Sequence, residues 1–187
     1  HAVRDGLAAS RAALAGRVQG RVAFLGGSIT AGPGWRELVC QDLQRRFPGA
    51  RLEFVNAGIP SFGSAAGAFR LERDVLAGGG VDLLFVEAAV NDAGGVEDSL
   101  EPLRGMEGIV RHARLACPAV DIVLLHFADP GKIAQIDAGR RPAVIAAHER
   151  VAQQYGLPSV DLAREVAERI HAGEFTWAED FRDLHPS

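Results

Sequence analysis

Residues 22–47 read VAFLGGSITAGPGWRELVCQDLQRRF, and the spacing of their apolar residues changes partway along. Val22–Gly26 is a nearly continuous apolar run ending on Gly26-Gly27. After the turn residues Gly32-Pro33-Gly34, by contrast, Trp35, Leu38, Val39, Leu43 and Phe47 keep the i, i+3, i+4, i+8 spacing of one helix face. A strand that is apolar along its whole length has both faces covered, as strands of parallel sheets do. Strand, glycine turn and helix make the first half of a βαβ unit.

The same alternation recurs outward from this stretch. Further apolar runs at Leu52–Ala57, Val81–Val90, Asp121–Phe127 and Pro158–Asp161 read as strands. Helical periods lie between them: Gly63 to Ala77, ended by Gly78-Gly79-Gly80; Leu103 to Leu115, stopped by Pro118; Val144 to Tyr155, stopped by Gly156; and Leu162 to Ala172. An N-terminal helix followed by five β/α units predicts an α/β fold, a three-layer α/β/α sandwich on a five-stranded parallel sheet. With no internal repeat, low-complexity tract or linker, residues 1–187 read as a single domain.

Composition narrows the function classes. The 187 residues are 48% hydrophobic and 24% charged, so a packed core is available and disorder is excluded. The net charge is −4 and the basic residues form no run or stripe, which removes the electrostatic case for a nucleic-acid partner. Val81–Val90, interrupted by Asp82 and Glu87, falls far short of the roughly 20 apolar residues of a membrane span. Cys40 and Cys117 support neither a disulfide framework nor a zinc cluster, no H-E-x-x-H motif occurs, and no metal or cofactor is expected. The first residue is His1, so the chain reads as a processed product for which a removed signal peptide stays open.

In parallel sheets ligands sit beyond the carboxyl ends of the strands. The first strand runs into Gly26-Gly27-Ser28-Ile29-Thr30, which is neither a P-loop, nor G-x-G-x-x-G, nor the nucleophile elbow G-x-S-x-G. Alone, it reads as a tight turn rather than as a nucleophile. The second strand ends in Asn56-Ala57-Gly58, where glycine permits an unusual backbone angle, and the third in Glu87-Ala88-Ala89-Val90-Asn91-Asp92. Near the end of the chain stands Asp180-Phe181-Arg182-Asp183-Leu184-His185-Pro186. Together these supply what acyl transfer by a serine needs: a hydroxyl, a base with an orienting partner, and donors for an oxyanion from Ser28 N–H, Gly58 N–H and the Asn91 amide.

In this order the four blocks resemble the SGNH hydrolases, or GDSL esterase family, with Ser28, Gly58, Asn91 and His185 at the matching positions over residues 22–186. The resemblance implies a flavodoxin-like sandwich and a serine ester hydrolase acting through an acyl-enzyme. It suggests deacetylation of a carbohydrate or another small-acyl ester. The alternatives are a thioesterase or acyltransferase using the same serine, and a catalytically silent carbohydrate-binding relative. The expected partner is a small-molecule or glycan ester, with secretion or a periplasmic location if that ester is a polysaccharide.

Three departures stand out. Gly27 replaces the family's Asp, Ala89 stands where a glycine is usual, and Arg182 occupies the triad Asp position three residues before His185. Arginine cannot accept the imidazole N–H. The orienter is therefore assigned to Asp183, with Asp180 second and a backbone carbonyl third. His126 is a rival base or substrate contact, or a buried histidine capping its strand. Ser61, with Phe62 and Ser64, is placed near the substrate, and Arg70, Glu72, Arg73 and Asp74 read as a solvated helix face. The chain stops at Ser187 without the family's closing helix, and a mobile His185 loop is the expectation.

Overall fold

The computed structural model describes residues 1–16, 19–94, 100–181 and 183–185; Arg182 and Pro186, from the stretch that carries the fourth block, and Ser187 lie outside them. Its elements run α1 (Ala8–Gly16), β1 (Gln19–Gly26), α2 (Ser28–Ala31), α3 (Trp35–Arg46), β2 (Arg51–Gly58), α4 (Ser64–Leu71), β3 (Leu83–Glu87), α5 (Glu101–Ala116), β4 (Asp121–His126), α6 (Pro130–Asp137), α7 (Ala143–Tyr155), β5 (Ser159–Asp161) and α8 (Leu162–His171). The five strands are all parallel, in the order β2-β1-β3-β4-β5, so the expected three-layer flavodoxin-like sandwich is the fold.

The period of two along each strand sorts the core into layers. Val22 and Phe24 of β1, Leu83 of β3 and Val123 of β4 face Leu14 of α1 and Trp35, Val39 and Leu43 of α3. Ala23, Leu25, Leu84, Val86, Ile122 and Leu124 face the other way, onto Leu71, Met106, Ile109, Val110 and Val151. Phe24 is fully buried, stacked on Phe85 at 5.2 Å and met edge-on by Trp35 at 5.4 Å. Burying a side chain of this size stabilises by roughly 1.5–3 kcal/mol. On the opposite layer α4 and α5 touch closely because Gly105 has no side chain: a Cβ there would lie 2.4 Å from Ser64 Oγ and 2.5 Å from Ala65 N.

Several boundaries differ from expectation. The third strand is Leu83–Glu87 rather than 81–90, because Ala88 O turns to accept the N–H groups of Asn91 and Asp92. Leu38 and Leu115, placed on buried stripes by spacing, point to solvent at 67% and 79% exposure. Helix α6 and the π-helical turn Trp177–Phe181 have no strong apolar period and escape a reading based on it. The start of α6 is nevertheless marked by Asp129-Pro130, the Asp129 carboxylate accepting the Lys132 N–H at 2.9 Å.

Candidate active site

The strand order reverses between β1 and β3, and the turn after β1 carries Ser28. Gly26, Gly27 and Ser28 make this turn because other groups press against it from several sides. A Cβ on Gly27 would stand 1.9 Å from Asn91 Nδ2, and one on Gly58 would stand 2.2 Å from Ala31 N and 2.6 Å from Thr30 C. Gly58 is thus required by close approach of two backbones, whereas the expected unusual backbone angle is not observed: Gly58 is not among the glycines with positive φ. The ends of β1, β2 and β3 are brought to one place.

Two side chains that the sequence reading gave no role hold this turn. Glu87, 2% exposed at the end of β3, accepts the Gly27 N–H at 2.7 Å and the Thr30 hydroxyl at 2.8 Å on one oxygen. Burial pushes its carboxyl above the ordinary glutamate value, against the lowering effect of those hydrogen bonds. From the other layer Arg70 donates through Nη2 to Gly26 O at 2.9 Å and through Nη1 to Asp74 at 3.0 Å. Arg70 is only 6% exposed, so the expected solvated face is corrected at this residue. The signals available were a glutamate in an otherwise apolar strand and a threonine two residues after the serine.

His185 arrives from the far end of the chain, its Nε2 2.7 Å from Ser28 Oγ across 157 residues of sequence. Asp183 Oδ1 accepts the His185 backbone N–H at 2.5 Å and lies 3.8 Å from His185 Nδ1, at ion-pair rather than hydrogen-bond distance. Asp180 is engaged elsewhere, its carboxylate accepting the Thr176 N–H at 2.7 Å.

Around the serine, the Ser28 N–H belongs to the first residue of α2, a position with no intrahelical acceptor. The Asn91 side-chain amide donates to Phe62 O at 3.2 Å, and the Gly58 N–H donates to Asn56 Oδ1 at 3.0 Å. Ser61 lies on the neighbouring loop with φ +65°, a conformation uncommon outside glycine, while Ser64 is fully buried with its N–H on Asp92.

His126 is not brought to this site. It is fully buried, with Nε2 3.0 Å from Glu149 Oε1, which corrects its placement as a substrate contact and leaves the strand-capping reading. His148, also buried, faces Asp92 at 3.0 Å. Burial pushes the Asp92 carboxyl up, but hydrogen bonds from His148 and Ser64 together hold it below the ordinary value; His148 is lowered by burial despite Asp92. Among the described residues, no group of three or more His, Cys, Asp or Glu side chains could hold a metal, and no helix is long and apolar enough to cross a membrane.

A serine hydroxyl thus lies against an imidazole at the switch point of a doubly wound parallel sheet, where α/β folds bind their ligands. The chain belongs to the GDSL-like lipase/acylhydrolase family, whose model matches residues 24–187. No curated protein sequence matches it significantly. Among solved structures, a two-domain esterase active on acetylated mannans, co-crystallised with mannopentaose, is 27% identical with a TM-score of 0.73; the match covers 90% of this chain and 44% of that protein. The present chain therefore spans less than half of that relative. A catalytic mutant of an acetylxylan esterase from Geobacillus stearothermophilus (18% identity, TM-score 0.71) and a lipase/acylhydrolase from Enterococcus faecalis (21%, 0.66) share the fold, each match covering 90% of this chain and 87% of the other.

Proposed function

We propose that the chain hydrolyses esters through an acyl-enzyme on Ser28. His185 Nε2 takes the Ser28 hydroxyl proton as Oγ attacks the ester carbonyl carbon, and the carbonyl electron pair moves to oxygen. When the tetrahedral adduct collapses, the C–O bond to the alcohol breaks and His185 returns the proton to the leaving oxygen. Water, deprotonated by the same imidazole, then releases the acid. The observation that carries this reading is the 2.7 Å contact between His185 Nε2 and Ser28 Oγ.

Asp183 orients the imidazole, its 3.8 Å separation from Nδ1 shortening as the imidazolium forms. Ser28 N–H, Gly58 N–H and the Asn91 amide receive the oxyanion, Gly58 giving up its bond to Asn56 as it does so. Esters of small acyl groups, with acetyl on a carbohydrate foremost, are the substrate class, supported by the acetylated mannans on which the two-domain relative is active.

The test is labelling with a fluorophosphonate and turnover of p-nitrophenyl acetate, with a pre-steady-state burst reporting the acyl-enzyme. Ser28→Ala is expected to lose labelling and turnover, and His185→Ala to lose nearly all turnover. Full activity in either variant overturns the assignment.

A further inference from the structure

A cavity of about 300 Å³ opens directly beside Ser28 and His185. Its walls are Trp35, Phe127, Val166, Trp177, Phe181 and Leu184, with Ser28 and His185 its only hydroxyl-bearing or ionisable lining residues among those described. The Trp35 indole N–H is already spent on Ile29 O at 3.2 Å, and the Trp177 and Phe181 rings stack at 4.9 Å, nearly parallel. Gly58 and Asn91 do not line it. An ester whose carbonyl oxygen points at those donors therefore directs another substituent toward the cavity.

From this geometry we infer that the cavity is a substrate pocket for an apolar substituent of the ester, an alkyl chain or aryl ring well beyond the size of a methyl group. The inference rests on the serine-hydrolase reading of Ser28 and His185 but parts from the acetyl-carbohydrate preference proposed above, because a methyl group would leave most of the cavity unfilled. The chemistry of the walls decides the class. Sugar hydroxyls inside would find few partners, because the lining supplies carbon, and buried polar groups without hydrogen bonds are costly. An alkyl chain loses nothing there and gains with each methylene removed from water, by about fourfold in kcat/KM per CH₂. The sugar of a glycan ester would stay on the open side of Ser28, with its acyl chain in the cavity. The Trp177–Phe181 turn thus supplies the pocket's aromatic wall.

The experiment compares two ester series. In the first the acyl group lengthens from p-nitrophenyl acetate through butyrate and hexanoate to octanoate; in the second the acyl group stays acetyl while the alcohol lengthens from methyl to hexyl, followed by pH-stat. One series is expected to climb, with kcat/KM rising on the order of a hundredfold from the two-carbon to the six-carbon member; which series climbs identifies the substituent that enters. Val166→Phe, which fills the cavity, should cut the six-carbon to two-carbon ratio at least tenfold. Trp177→Ala, which widens it, should move the optimum to longer chains, with melting temperatures confirming that both variants fold. Flat profiles in both series while Ser28 is still labelled by fluorophosphonate overturn the pocket and leave the esterase reading intact. Unchanged labelling and turnover in Ser28→Ala overturn that reading itself.

Discussion

Replacing Glu87 with alanine tests whether a buried carboxyl holds the serine turn. One oxygen accepts both the Gly27 N–H and the Thr30 hydroxyl, and both residues are buried. Removing it orphans a fixed backbone donor and a hydroxyl that can rotate in search of a partner. At about 1–3 kcal/mol per buried unsatisfied group, less the relief of no longer burying an ionisable group, Glu87→Ala should cost roughly 2–4 kcal/mol. For a chain of this length that is a fall in melting temperature of roughly 4–16 °C.

Glu87→Gln keeps an acceptor oxygen and should recover most of the loss. Its pH dependence is diagnostic. The folded-state pKa of Glu87 lies above its ordinary value of 4.5, so the neutral form is favoured by folding. Below 4.5 ionisation has no bearing on stability; as pH rises from there through the raised value, the unfolded chain loses its proton first and the folded state loses stability. Glutamine cannot ionise, so the stability of Glu87→Gln relative to wild type should grow with pH across that window. Thermal unfolding followed by circular dichroism at a series of pH values measures both effects. If Glu87→Ala melts with the wild type, or Glu87→Gln is as damaged as Glu87→Ala, the clamp on the serine turn is refuted.

Four further outcomes follow from contacts at and beside the candidate site. Asn91→Ala should lower kcat by about a hundredfold or more without lowering the melting temperature. Gly27→Ala, whose Cβ would meet Asn91 Nδ2 at 1.9 Å, should reproduce part of that loss. The double variant should then be no worse than Asn91→Ala, and additive losses would show that Gly27 acts by another route. Gly58→Ala forces a methyl against the backbone of Thr30 and Ala31 and should destabilise by about 1–3 kcal/mol in denaturant unfolding; a silent substitution would contradict the close approach of β2 and α2. His148, held below its ordinary 6.5 by burial despite Asp92 and with His126 and Lys132 also disfavouring its charge, contributes stability that is full above 6.5 and falls as pH drops through the lowered value. His148→Gln should therefore flatten the acid side of the melting profile, and an unchanged profile would remove His148 as its source.

The fold was legible because its signals are local. Val22–Gly26 and Asp121–Phe127 are apolar on both faces, and that property alone requires helices above and below. Leu38 and Leu115 mislead because spacing cannot say where the buried stripe ends, and α6 escapes because its start is marked by a cap rather than by periodicity. Of the candidate site, Ser28, Gly58, Asn91 and His185 can be picked out by type and order, whereas Glu87 and Arg70 read as an interruption in a strand and a charge on a helix.

The sequence by itself determined the alternation of strands and helices, hence the parallel sandwich, and which polar residues fall at the strand ends, because periodicity and turn chemistry act over a few residues. Tertiary structure alone decided that His185 reaches Ser28. It also decided that Glu87 and Arg70 grip the serine turn from different elements, and that the walls beside it are apolar. Each of these is a contact between residues far apart in the chain, set by how the layers pack, and no local pattern encodes it.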